Sequence, residues 1–109
     1  MDQKVNIQID CGATFQMEIV LKDDGGSLID LTGCIATSHL REFAESNEYM
    51  PFTCSQNGEG GTVTLTMSRE DTAKIGYTRG VYDVFLSFPN YVSEKILQGD
   101  VAIIPAVTR

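Results

Sequence analysis

The chain has 109 residues, 42% of them hydrophobic and 21% charged, the make-up of one globular domain and not of a disordered segment. Fifteen acidic residues against eight basic ones give a formal charge of -7 with no Lys/Arg cluster, so a phosphate backbone is repelled and nucleic acid is excluded as a direct partner. No run approaches the roughly 18 apolar residues of a membrane span, and no charged-then-apolar leader opens the chain, which predicts a soluble protein made in a cytoplasm with no membrane partner.

A chain of this length buries roughly two-thirds of its unfolded surface and needs no metal or disulfide to fold. Val5, Ile7 and Ile9 alternate with Asn6, Gln8 and Asp10, the pattern of a strand with one wet face. Cys11-Gly12-Ala13 breaks it, and Thr14 to Leu21 forms a second strand with Phe15, Met17, Ile19 and Leu21 inward. Asp23 to Ser27 is a turn. A third strand spans Cys34 to Leu40, with Cys34, Ala36, Ser38 and Leu40 opposite Ile35, Thr37, His39 and then Arg41.

Glu42 to Met50, with Glu42, Glu45 and Glu48 and too few apolar residues for a buried stripe, is an exposed acidic loop or a broken edge. Pro51 to Ser55 is a brief strand, and Gln56 to Gly61 closes a hairpin with Thr62 to Met67, whose Val63, Leu65 and Met67 are buried. Ser68 caps a helical turn with Asp71 three residues on; Thr72 and Ile75 face the core before Gly76 ends it. Arg79 to Phe88 is the densest β-branched and aromatic run, with Tyr82, Val84, Leu86 and Phe88 on one face. After a turn at Pro89-Asn90-Tyr91, Lys95 to Val107 pairs antiparallel with it, carrying a bulge at Gly99 and Pro105 at an edge or exit position. About seven short strands and one helical turn predict an all-β antiparallel sandwich in a single domain, with a small barrel as the competing closure.

Chemistry is sparse. His39 is the single histidine, and no Ser or Cys stands in a nucleophile motif, so it reads as a strand histidine on a half-exposed face. Gly58, Gly60 and Gly61 lie between strands and are turn glycines, not a phosphate loop. Asp23, Asp24 and Asp30 lack the spacing of a calcium loop, and Asp83 reads as solvated or bonded to a turn. Cys11, Cys34 and Cys54 are odd in number and far apart, which predicts free buried thiols and no zinc site; a disulfide stays open in an oxidising medium. The sequence thus predicts no catalytic, cofactor or metal residues, and a non-enzymatic protein.

Four pieces in order carry a resemblance: Gly12-Ala13-Thr14-Phe15, Asp30-Leu31-Thr32-Gly33, Gly80-Val81-Tyr82-Asp83-Val84, and Gln98-Gly99-Asp100-Val101 leading to Pro105-Ala106-Val107-Thr108-Arg109. Together they resemble a family of small virion proteins of tailed bacteriophages, similar to the N-terminal domain of some baseplate upper proteins. The resemblance implies an immunoglobulin-like β-sandwich with no catalytic activity, serving in the tail, baseplate, neck or capsid decoration. It implies other phage structural proteins as partners, a homo-oligomer, and a place in the virion after synthesis in the host bacterium. One departure is Ile75, where the family is expected to show Leu. Open sheet edges, the loops Glu42 to Met50 and Gln56 to Gly61, and the segment Pro105 to Arg109 are the expected contact surfaces. A carbohydrate- or receptor-binding module is the alternative, with Tyr49 and Tyr91 as its candidates and the absence of Trp against it.

Overall fold

A computed structural model describes residues 3–57, 60–90 and 92–107. Alternation of apolar and polar residues builds nine strands and one helical turn among the described residues: β1 (Gln3–Lys4), β2 (Ile7–Asp10), β3 (Phe15–Val20), β4 (Ile35–Arg41), β5 (Met50–Pro51), β6 (Thr53–Asn57), β7 (Thr62–Met67), α1 (Arg69–Thr72), β8 (Arg79–Ser87) and β9 (Ser93–Ile104). They form a six-stranded sheet in the order β1-β9-β8-β4-β5, with β2 also on β9, and a three-stranded sheet in the order β3-β7-β6. The protein is all-β, with two sheets sharing one core.

Each sheet turns one apolar face inward. Ile19, Val63, Leu65 and Met67 from the smaller sheet meet Ile9, Leu40, Tyr82, Val84, Leu86 and Val101 from the larger. Phe52 joins the layers, its ring 5.6 Å from that of Phe15 and 6.4 Å from that of Tyr82. The central pairing of β8 with β9 is antiparallel, as is that of β4 with β8. The alternation of Tyr82, Val84 and Leu86 as buried residues follows the pattern read from the sequence.

The N-terminal strands depart from an all-antiparallel layout. Both β1 and β2 run parallel to β9, with Gln3 opposite Leu97 and Ile7 opposite Val101. Between them the chain is pinned by Val5 N–H donating to the Gln98 carbonyl at 2.8 Å, by Asp100 N–H donating to Asn6 Oδ1 at 3.1 Å and by the Tyr82 hydroxyl donating to the Val5 carbonyl at 2.7 Å. Gly99 makes this approach possible, since a Cβ there would lie 2.0 Å from the Val5 oxygen. Gly99 is therefore not the bulge expected of it. The ladder slips between Val84 and Phe85, which face Leu97 and Lys95 and leave Ile96 unpaired. That slip lets two consecutive apolar residues, Ile96 and Leu97, both lie in the core.

Three further boundaries differ from the sequence reading. The expected strand from Pro51 to Ser55 is broken at Phe52: β5 pairs with β4 in the larger sheet, and β6 with β7 in the smaller. Burying the Phe52 ring between the layers turns the chain from one sheet to the other. The helical turn begins as read, with Ser68 Oγ accepting from Asp71 N–H at 3.2 Å, but it ends at Thr72, capped by Ala73, before Gly76. The last strand spans Ser93 to Ile104, so Pro105 lies just beyond it.

Thr72 ties the helical turn to the β2–β3 connection. Fully buried, its hydroxyl accepts from Gly12 N–H at 3.0 Å and donates to the Ala13 carbonyl at 2.9 Å. The two flanks of the molecule differ as well. At one, Phe52 N–H donates to the Ser38 carbonyl at 2.9 Å and Gln56 Nε2 to the Cys34 carbonyl at 3.1 Å, stitching the sheets together. At the other, no ladder joins β2 to β3 among the described residues.

Candidate functional site

Alternation sends His39 and Arg41 of β4, Val81 and Asp83 of β8, and Gln98 and Asp100 of β9 to the outer face of the larger sheet. The register sets them in rows: His39 opposite Asp83 and Asp83 opposite Gln98, then Arg41 opposite Val81 and Val81 opposite Asp100. Beneath the first row, the buried Ser38 hydroxyl donates to the Asp83 carbonyl at 2.6 Å, fixing the backbone from which the carboxylate projects. A depression of about 340 Å³ opens over these rows, edged by Lys4 and Lys95.

The acidic loop closes one wall. Arg41 Nη1 donates to the Ser46 carbonyl at 2.5 Å, holding residues 42–49 against the sheet. This folds the Tyr49 ring onto His39, centroids 4.0 Å apart and 20° from parallel, with the Arg41 guanidinium carbon 4.9 Å from the Tyr49 centroid. Lys95 Nζ donates to Gln98 Oε1 at 3.2 Å. Lys4 and Asp100 stand 3.9 Å apart with side chains about two-thirds exposed, a contact that water screens to little value. The depression thus offers the His39 ring, a guanidinium, two ammonium groups and two carboxylates within one shallow surface, with Tyr49 stacked on His39 beside it. Such a mixture suits recognition of a polar partner by many weak contacts.

The other residues weighed from the sequence lie apart from it. The Asp23 carboxylate accepts from Gly25 N–H and Ser27 N–H, each at 2.9 Å, and so shapes its own turn. Asp30 accepts from both the backbone N–H and the hydroxyl of Thr32, bonds that hold its carboxyl below the usual carboxylate range. Among the described residues, no group of three or more His, Cys, Asp or Glu is placed to hold a metal ion. All three thiols are free: Cys34 is buried, while Cys11 and Cys54 are half-buried, less covered than expected. Burial pushes the Cys34 thiol up, helped by the nearby Asp30 charge, and burial likewise raises that of Cys54, which lowers their thiolate fraction.

Gly58, Glu59, Tyr91, Thr108 and Arg109 lie outside the described residues, and with them the tip of the Gln56 to Gly61 loop, one of the two tyrosine candidates and the last of the Pro105 to Arg109 segment. Val107 of that segment is exposed, and Ala106 is half-buried. Sequence reasoning missed the stack of Tyr49 on His39. Its one readable signal was that His39 and Arg41 share an outward face; the fold of the loop that delivers Tyr49 had none.

Models of protein families and curated proteins were compared with the sequence, and none matches it.

Proposed function

We propose that the protein is a non-enzymatic structural component of a tailed bacteriophage particle, in the tail, baseplate, neck or capsid decoration, working through contacts with other phage structural proteins and with its own copies. The observation that carries the reading is where the four resembling pieces fall. Each holds a residue that shapes the backbone. Gly12, at a φ of +83°, turns the chain between β2 and β3. Asp30 locks the turn before β4 with its two bonds to Thr32. Gly80 leaves room for the Arg41 carbonyl, which a Cβ would approach to 2.7 Å. Gly99 admits Val5. The resemblance therefore rests on residues that shape a scaffold and not on a gathered set of reacting groups, which supports a building block over an enzyme.

Strand order supports the finer reading of an immunoglobulin-like sandwich. The order β3-β7-β6 corresponds to strands B, E and D of that fold, and β9-β8-β4-β5 to G, F, C and a short C′. Mass spectrometry of purified virions, followed by fitting the fold into a particle map, tests the role. Detection in stoichiometric copy number is expected; absence from particles refutes it.

One observation favours a second reading, a carbohydrate- or receptor-binding module. Tyr49 is half exposed beside the depression and is already oriented by His39 and Arg41. Saturable binding on a glycan array, lost in Tyr49→Ala, would replace the first reading with this one.

A further inference from the structure

The open flank carries an inference about self-association. Strand β3 is the edge of the smaller sheet, paired on one side with β7 and, among the described residues, with nothing on the other. Leu21 follows β3 in extended backbone, its N–H donating to the Gly61 carbonyl at 2.8 Å and its carbonyl accepting from Ile29 N–H at 3.0 Å. Both Leu21 groups therefore point to the β7 side. Successive residues in a strand turn these groups to opposite sides, so Glu18, Val20 and Lys22 aim theirs outward. The bridge between Lys22 and Leu28 keeps this phase, because its bonds are made by Leu21, Asp23, Ser27 and Ile29.

The same three residues turn their side chains to the outer face, away from the buried Ile19 and Leu21, and all three are exposed. Val20 is 55% exposed, and neither Glu18 nor Lys22 makes an ion pair among the described residues. The strand thus presents an acid, an apolar residue and a base at alternate positions. That order is its own complement when reversed.

We propose that two copies of the chain pair antiparallel through β3 about a twofold axis at Val20, with Glu18 of each opposite Lys22 of the other. The register buries Val20 against its symmetry mate, forms two cross-strand ion pairs and supplies up to about six main-chain hydrogen bonds. An axis at Glu18 instead sets like charges face to face, and an axis at Ile19 leaves both charges without a direct opposite. The two smaller sheets become one continuous sheet of twice the strands. Strand β2, the other edge on this flank, is a poorer junction: it is four residues long and interrupted at Val5 and Asn6. The contact is smaller than the ~1,200 Å² of a standard interface, so the dimer is weak in solution and gains strength where many copies are held together.

Sedimentation equilibrium of the whole chain at up to about 1 mM, a range suited to so small a contact, tests the idea. Glu18→Lys or Lys22→Glu alone sets like charges opposite one another twice and is expected to weaken the dimer about tenfold; E18K/K22E together restores it. Val20→Pro removes an outward N–H that the monomer does not use and abolishes pairing, with circular dichroism confirming that the fold is retained. A chain monomeric throughout, or a dimer indifferent to all four variants, overturns the proposal. Its fate is separate from that of the role in the particle: a monomer found in virions refutes the pairing alone, and a pairing chain missing from virions refutes the role alone.

Discussion

The two sheets share one core and present opposite exteriors. Outside the larger sheet lie His39, Arg41, Asp83, Lys95 and Asp100, long or charged side chains around a depression. Outside the smaller sheet, Gln16, Glu18 and Val20 face Thr66, Thr64 and Thr62, and these face Thr53, Ser55 and Asn57. Glu18 is the one charge in that array. The same period-two rule wrote both exteriors, so the inward residues decide that the sheets pack, and the outward ones decide what each sheet is able to meet.

If that division holds, removing a core side chain costs the same order of stability under either exterior. Leu40 lies beneath the charged face and Leu65 beneath the threonines, both fully buried. Leu40→Ala and Leu65→Ala are each expected to lose about 2–5 kcal/mol in denaturant unfolding. A loss confined to one of them would break the symmetry of the core.

A smaller effect sits where the larger sheet receives the N-terminal strands. Tyr82→Phe deletes the bond to the Val5 carbonyl and is expected to cost about 1 kcal/mol at neutral pH. Burial pushes the Tyr82 phenol up to about 12, against an ordinary value near 10, so the fold favours the neutral form. Below about pH 10 that preference is fully met; as pH climbs from about 10 to about 12 the unfolded chain ionises first and stability falls. Unfolding titrations across that window should show the decline in the native chain and a shallower one in Tyr82→Phe. The smallest change is expected on the threonine array: Thr64→Ala should shift unfolding by no more than about 0.5 kcal/mol and leave the contacts of the other face intact.

Much of the fold was legible because burial follows alternation. The inward residues of β3, β4, β7 and β8 and the Ser68 cap are all written in local order, and none needs a distant partner to be read. What escaped depends on residues far apart in the chain. Gly99 reads as a bulge until Val5 is known to lie against it, and Phe52 reads as mid-strand until its ring is seen between two layers. The candidate site was half legible: the shared outward face of His39 and Arg41 follows from spacing, while Tyr49 reaches it only through a loop whose path is set by the Arg41 bond to Ser46.

The docking of β1 and β2 along β9 also bears on how the protein is made. Their register joins Gln3 to Leu97 and Ile7 to Val101, nearly the full length of the chain apart. A ribosome would release the first of these strands long before the second exists to receive it. Pairings between near neighbours have far shorter loops to close, so the docking of β1 and β2 is expected to follow the hairpins between them, an order that pulse-labelled amide exchange would read.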